Sequence, residues 1–142
     1  GFATRIYWTF NVLGHDNLSI LNGGMAAWTK DKANPLETGA AKVTAKTFTP
    51  HPRLDMIATV ADVKAAKAKG VLLVDNRPED QFVGINGSPA AKENGTLPGA
   101  HNLPSGWTTE NGGGMFRPKT ELEKLFKVAS VPTSGMYPFS PL

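Results

Sequence analysis

The clearest hydrophobic pattern in the chain is the apolar run Val71–Val74, which is followed at once by Asp75 and then by Arg77. A short uninterrupted apolar run predicts a strand buried on both faces, as in a parallel sheet covered by helices. Open α/β sheets bind ligands at the carboxyl ends of their strands. Arg77 is therefore the first candidate for contact with an anion, and Pro78 is suited to begin a helical turn behind it.

A second interpretation of the same residues is purely structural. Asp75 and Arg77 are two positions apart, so they can pair with each other or with loop backbone and hold the turn in shape. Ion pairs of this kind are commoner than binding sites, and the spacing alone favours this interpretation. An anion-binding site at Arg77 therefore needs support from other features of the sequence.

The beginning of the chain combines helical spacing with one short apolar run. Apolar residues of Phe2–Leu13 fall on one side of a predicted helix, which Gly14 can end in the left-handed conformation. A short strand is predicted at Leu18–Leu21, and a second helix from Met25 to about Ala33. Because a strand would normally precede the first helix, we expect the chain to begin inside a domain.

Residues 34–58 lose this periodicity and collect prolines, threonines, lysines and alanines. So long a connection is unusual inside a compact domain. We interpret residues 34–58 as a linker between a first segment, 1–33, and a second segment, 59–130.

Regular patterns return after the linker. Thr59 and Asp62 form a weak capping box at the start of a predicted helix that ends at Gly70. A short helix is expected to end at Gly84, and a brief strand is expected within Leu97–Pro104.

The last part of the chain contains one more amphipathic helix. Leu122, Leu125 and Phe126 mark its apolar side, and it is expected to end near Ala129. Residues 131–142 contain three prolines, which argue against a central strand, and we leave this tail unassigned.

Composition restricts the classes of function. The 142 residues are 40% apolar, which is enough for a real hydrophobic core. The net charge of +3 is compatible with anionic substrates, whereas the scattered lysines argue against nucleic-acid binding and against a membrane-surface helix. No apolar run approaches the roughly 20 residues that span a bilayer. We expect a soluble protein, either cytoplasmic or periplasmic.

The chain contains no cysteine. This excludes disulfides, thiolate catalysis and thiolate metal sites within it. Gly112–Gly114 lacks the flanking strand and the Gly-Lys-Ser/Thr ending of a phosphate-binding loop, so we interpret it as a flexible loop. No motif for a cofactor or a metal is recognised, and we expect neither.

Two stretches of the sequence resemble rhodanese domains. Residues 14–28, GHDNLSILNGGMAAW, resemble the second half of such a domain. Val74–Arg77 with Phe82–Gly84, and then Gly95–Pro104, resemble the first half of another. The order of these stretches is similar to that in a tandem thiosulfate or 3-mercaptopyruvate sulfurtransferase.

This resemblance implies an α/β fold with an open parallel sheet flanked by helices. It also implies a small sulfur-containing anion, such as thiosulfate or 3-mercaptopyruvate, as the partner. In the family, a cysteine in a loop after the central strand of the second domain holds sulfur as a persulfide, within an electropositive nest that stabilises the thiolate. Carried over by position, Asp75 orients the turn and Arg77 meets a sulfonate or carboxylate.

The sequence departs from the family where the cysteine is expected. The cysteine loop would follow the helix that ends near Ala129, but the proline-rich tail stands there instead. Ser134 and Ser140 have no demonstrable base, which a nucleophilic hydroxyl needs, and His101 is expected to be structural. We predict that the chain by itself does not transfer sulfur.

The resemblance implies that the chain holds the back half of one domain and the front half of the next. These halves can pack as a circularly permuted or swapped single domain, and unfilled gaps would expose strand edges that favour a homo-oligomer. Three hypotheses follow: a partial sulfurtransferase, a non-catalytic anion-binding or protein-interaction module, and a different activity of a new oligomeric assembly.

Overall fold

Three short parallel strands form the sheet of this protein, whose computed structural model describes residues 2–133 and the backbone of 137–139. The strands are β1 (Leu73–Asp75), β2 (His101–Asn102) and β3 (Tyr137–Phe139). Their order is β2-β1-β3, and β1 pairs in parallel with both neighbours. All three residues of β1 are buried, which confirms the prediction of a strand covered on both faces.

Five α-helices accompany the strands in the described part of the chain. They are α1 (Phe2–Val12), α2 (Gly24–Trp28), α3 (Val60–Ala68), α4 (Glu79–Phe82) and α5 (Lys119–Val128). Short 3-10 turns occur at Leu54–Met56, Ser105–Thr108 and Glu110–Gly112. Contacts along the chain divide it into two units, Gly1–Ile57 and Ala58–Leu142.

The core of the second unit lies where the sheet meets α5. Val74 of β1, Leu103 after β2 and Val131 after α5 are buried together. Leu125 and Phe126 of α5 pack against them, as the predicted amphipathic pattern requires. The core therefore fixes the position of β1, whose carboxyl end bears the candidate residues.

The start of α3 confirms the predicted capping box. The backbone N–H of Asp62 donates to Thr59 Oγ1 at 3.2 Å, and the backbone N–H of Thr59 donates to Asp62 Oδ2 at 2.8 Å. These bonds satisfy N–H groups that have no partner inside the helix.

In the first unit, the chain around His51 and Arg53 is bound to the end of α1. The backbone N–H groups of His51 and Arg53 donate to the carbonyls of Leu13 and Val12, at 2.9 and 2.7 Å. Gly14 has a φ of +84°, and a Cβ atom placed there would lie 2.5 Å from the carbonyl oxygen of His51. Glycine is therefore required at this position both by its conformation and by the close approach.

Three local predictions need correction. Leu18–Leu21 does not form a strand, because a strand needs a hydrogen-bonded neighbour and the described residues of the first unit contain none. The second helix is shorter than predicted and ends at Trp28. Pro78 precedes α4 in an extended conformation, with φ −52° and ψ 150°, and is not its first helical residue.

Candidate functional site

The turn after β1 is organised around the carboxylate of Asp75, which is only 1% exposed. Its Oδ1 accepts hydrogen bonds from the backbone N–H and from Nε of Arg77, both at 3.0 Å. Its Oδ2 accepts from Arg77 Nη2 at 2.6 Å and from Thr96 Oγ1 at 2.7 Å. A buried carboxylate is tolerated here because both of its oxygens are hydrogen-bonded and its charge is paired.

The guanidinium of Arg77 is only partly hydrogen-bonded to the described residues. In addition to the bonds to Asp75, its Nη2 donates to the carbonyl of Gly95 at 2.8 Å. Its Nη1 donates to no atom within residues 2–133, and the side chain is 25% exposed. Because the side chain is partly exposed, Arg77 remains the candidate for contact with an anion.

The neighbouring strand holds the turn from the other side. Asn102 of β2 donates through Nδ2 to the carbonyls of Asp75 and Arg77, at 2.9 and 3.0 Å. The backbone N–H of Leu103 also donates to the Asp75 carbonyl, at 2.9 Å. These bonds fix the backbone on both sides of Asn76, so the direction of the Arg77 side chain is set by the sheet.

Close contact between two loops brings Thr96 to the site. A Cβ atom on Gly84, which has a φ of +83°, would lie 3.3 Å from the backbone of Gly95. The absence of a side chain at Gly84 lets the segment before Thr96 approach the end of α4.

The ionisation of the pair follows from these contacts. Burial raises the pKa of Asp75, but the hydrogen bonds from Arg77 and Thr96 outweigh it and hold the pKa of this carboxyl below its usual range. The hydrogen bonds to Asp75 raise the pKa of Arg77. Both groups are charged over the whole physiological range.

The structure brings the two predicted site residues, Asp75 and Arg77, together as an ion pair. This is the pairing that the sequence analysis gave as the structural alternative to a binding site. Contact between Arg77 and an anion stays a prediction. Thr96, Gly95 and Asn102 complete the arrangement. The sequence marks them only as members of a rhodanese-like stretch, because nothing in their positions along the chain indicates contact with Asp75 or Arg77.

The other predicted candidates lie elsewhere. The Nδ1 atom of His101 lies 2.9 Å from the carbonyl oxygen of Ser130 at the end of α5, which is a structural contact. Ser134 and Ser140 lie outside the described residues. Within the part of the chain that the structure describes, no cluster of three or more His, Asp or Glu residues is arranged to hold a metal ion. No helix of this part is long and apolar enough to cross a bilayer.

No family model matches the chain, but a comparison with curated proteins finds relatives that are named as sulfurtransferases. A putative thiosulfate sulfurtransferase of Mycobacterium tuberculosis (strain ATCC 25618 / H37Rv) is 31% identical over 140 residues, which is 94% of this chain and 50% of the relative. A probable 3-mercaptopyruvate sulfurtransferase of Schizosaccharomyces pombe is 30% identical over 131 residues, covering 87% of this chain and 44% of the relative.

A similar solved structure also belongs to a protein named for 3-mercaptopyruvate. SseA from Escherichia coli, described as a 3-mercaptopyruvate sulfotransferase with the rhodanese fold, superposes with a TM-score of 0.75 at 28% identity. The match covers 90% of this chain and 47% of SseA. The predicted α/β class with a rhodanese-like parallel sheet is thereby confirmed.

The parallel sheet, with its charged turn at the carboxyl end of β1, defines a rhodanese-fold α/β protein. Over most of its length the chain is similar to rhodanese-like thiosulfate and 3-mercaptopyruvate sulfurtransferases. It spans about half the length of the curated relatives it matches.

Proposed function

We propose that this polypeptide is a rhodanese-family segment that binds a small sulfur-containing anion at Arg77 and does not transfer sulfur by itself. Thiosulfate and 3-mercaptopyruvate are the anions named for its relatives. The observation that supports binding most directly is the partly exposed side chain of Arg77 beside a fully buried carboxylate.

The contacts of Arg77 define how an anion would bind. Asp75 offsets most of the positive charge, so long-range attraction is weak and binding depends on the direction of the free N–H groups. Charge-assisted hydrogen bonds from a guanidinium to an oxyanion are short and directional. Because the guanidinium is already fixed by Asp75 and Gly95, little side-chain entropy is lost when the anion binds.

The absence of sulfur transfer rests on the composition of the chain. The thiolate is the group that attacks and holds sulfur in this family, and the sequence contains no cysteine. A hydroxyl would need a base within hydrogen-bond reach. His101, a histidine of the described second unit, has its Nδ1 engaged at the end of α5, and no hydroxyl contact of its ring is found among the described residues.

The domain arrangement is part of the same proposal. Residues 1–33 would form the back half of a first rhodanese-like domain, residues 34–58 the linker, and residues 59–130 the front half of a second domain. The similarity to about half of each longer relative supports this assignment. A permuted or swapped association of the halves, and the homo-oligomer it would produce, belong to the proposal as well.

A protein-interaction role is the second candidate, and the surface of α1 favours it. Phe2 is 92% exposed and Ile6 is 56% exposed, although both are large apolar residues. Exposed apolar faces of this kind are typical of surfaces that associate.

Calorimetric titration with thiosulfate tests anion binding at Arg77. We expect saturable binding that is lost or at least tenfold weaker in Arg77→Lys, because lysine lacks the planar fork of donors. Arg117→Lys is the matched control, since Arg117 is also paired with a carboxylate, Glu121, at 3.1 Å. Equal affinity in both variants, or no binding by the unmodified chain, contradicts the assignment of Arg77.

An assay with thiosulfate and cyanide tests the second half of the proposal. Thiocyanate should form no faster with the folded polypeptide than with a heat-denatured sample, because no thiol is present to hold the sulfur. An active rhodanese provides the positive control. A rate above that of the denatured sample would refute the absence of sulfur transfer but would leave anion binding at Arg77 standing.

A further inference from the structure

An open cavity of about 330 Å³ lies between α4, β2 and the end of α5. Neither Asp75 nor Arg77 lines it, although Asn102, whose amide holds the turn of the candidate anion site, does. Its polar side chains include Glu79, His101 and Asn102, and its apolar lining includes Phe82, Trp107 and Val128. The size is that of a site for one side chain or one small molecule.

The tautomer of His101 is set by its contacts. Its Nδ1 atom lies 2.9 Å from the carbonyl oxygen of Ser130 and 3.2 Å from that of Ala129. Carbonyl oxygens only accept hydrogen bonds, so Nδ1 must bear the hydrogen. In the neutral ring, the remaining nitrogen, Nε2, is then an acceptor.

The amide of Asn102 is oriented by the same reasoning. Its Nδ2 donates to two backbone carbonyls, those of Asp75 and Arg77. Both amide hydrogens are therefore used inside the protein, and the group that remains is the acceptor Oδ1. Among the lining side chains, the carboxylate of Glu79 has a negative charge, and His101, Asn102 and Ser130 each offer an acceptor atom.

The apolar lining complements these acceptors. Trp107 and Phe82 contribute aromatic rings, and an indole is the ring that attracts a cation most strongly. Trp107 is 36% exposed and Val128 is 74% exposed, so the cavity can be reached from the surface. Neither lysine nor arginine is present among the lining residues to neutralise Glu79.

We propose that this cavity binds an organic cation, an ammonium or guanidinium group on a short apolar stem. The charged head donates to Glu79 and to the acceptors of His101 and Asn102, while the stem packs on Phe82 and Trp107. The cation is supplied either as a free small molecule or as the side chain of a lysine or arginine on a partner protein. The proposal does not depend on anion binding at Arg77.

A titration of the ¹⁵N-labelled chain, followed by NMR, tests this binding. The probes are n-butylguanidinium, n-butylammonium and, as the uncharged control, n-butanol. We expect saturable shifts of the amide signals of α4 and β2 with at least one of the cations, at an affinity of about 1 mM, and no saturation with the alcohol. A capped arginine, N-acetyl-arginine N-methylamide, then separates the two sources, because only a cavity open to a partner's side chain accepts the added peptide groups.

A pair of carboxylate variants locates the cation. Glu79→Gln should weaken binding by about tenfold, because it removes the charge that the cation meets. Glu93→Gln, which changes an exposed carboxylate in the loop after α4, should leave binding unchanged. Should Glu79→Gln fail to fold, as judged from its spectrum, Trp107→Leu is used as its substitute. This variant removes the ring on which the stem packs and should also weaken binding.

Three results would overturn the proposal. These are the absence of saturable shifts with both cations, equal binding of the alcohol, and unchanged affinity in the folded Glu79→Gln variant or its substitute. Equal weakening by Glu93→Gln would also overturn it, because the effect would then come from the overall charge.

Discussion

Asp75 and Arg77 form a two-point ion pair in which Arg77 Nε lies 3.0 Å from Oδ1 and Nη2 lies 2.6 Å from Oδ2. The carboxylate is buried at the end of the central strand of the described sheet, whereas the side chain of Arg77 is partly exposed. The pair therefore has a structural role that holds whether or not an anion binds.

Replacement of Arg77 by leucine should destabilise the protein strongly. Arg77→Leu leaves the charge of Asp75 buried without its partner, and losses of about 3 kcal/mol are typical when one partner of such a pair is removed. Urea unfolding followed by circular dichroism measures the change in the free energy of unfolding. Arg117→Leu, whose partner Glu121 is 48% exposed, should give a smaller loss. Equal losses in both variants would contradict a special role for the buried pair.

Acid should remove the contribution of Asp75 to stability. The folded-state pKa of Asp75 is lowered, so its contribution is complete above the unfolded-state pKa, about 3.9, and disappears as the pH falls through the folded-state value. We expect the difference in unfolding free energy between the unmodified protein and Asp75→Asn to be largest near pH 7 and to shrink below about pH 4.

Urea unfolding at a series of pH values provides that comparison. The pKa of Asp16 is also lowered, by its hydrogen bond with Arg53, and that of Asp62 by its hydrogen bond with Thr59. Both groups are present in the two proteins, so their contributions cancel in the difference. A difference that stays constant between pH 7 and pH 2 would show that Asp75 does not titrate as stated.

Substitution of Gly14 should destabilise the first unit more than its conformation alone explains. In Gly14→Ala the new methyl group meets the carbonyl of His51, in addition to the strain of about 1 kcal/mol for a left-handed residue. Gly39 has a similar φ of +95° with no atom within 4 Å, so Gly39→Ala measures the conformational strain by itself. Thermal unfolding should show the larger loss for Gly14→Ala, and equal losses would exclude the close contact.

Sedimentation velocity should show a dimer or a larger assembly. The reason is the exposed apolar surface of α1, which association would bury. Ile6→Glu places a charge on this surface and should shift the protein toward the monomer. Val43→Glu is the control, because Val43 is 86% exposed outside any helix or strand. A folded monomer at all concentrations would rule out the proposed homo-oligomer.

Two apolar runs in the sequence have different outcomes in the structure. The run Val71–Val74 predicted a buried strand correctly, and the structure places that strand at Leu73–Asp75. The same reasoning failed for Leu18–Leu21, where an apolar run has no strand to pair with among the described residues of its unit. An apolar run indicates burial, but a strand exists only where a neighbour supplies its hydrogen bonds.

The tail that the sequence left unassigned contains the strand Tyr137–Phe139. Its proline argues only against a central strand, and the structure places the segment as β3, which pairs in parallel with β1. It lies at an edge of the described sheet, where the missing N–H of proline is tolerated.

The sequence by itself determined what depends on neighbouring residues or on composition: the helix cap at Thr59, the left-handed glycine that ends α1 at position 14, and the absence of a thiol. Only the tertiary structure decided which distant groups meet. Thr96 reaches Asp75 across 21 positions, and His101 reaches the end of α5 across 28 and 29. Such contacts depend on how the chain returns to the sheet, and that path is fixed by packing of the whole core rather than by any local pattern.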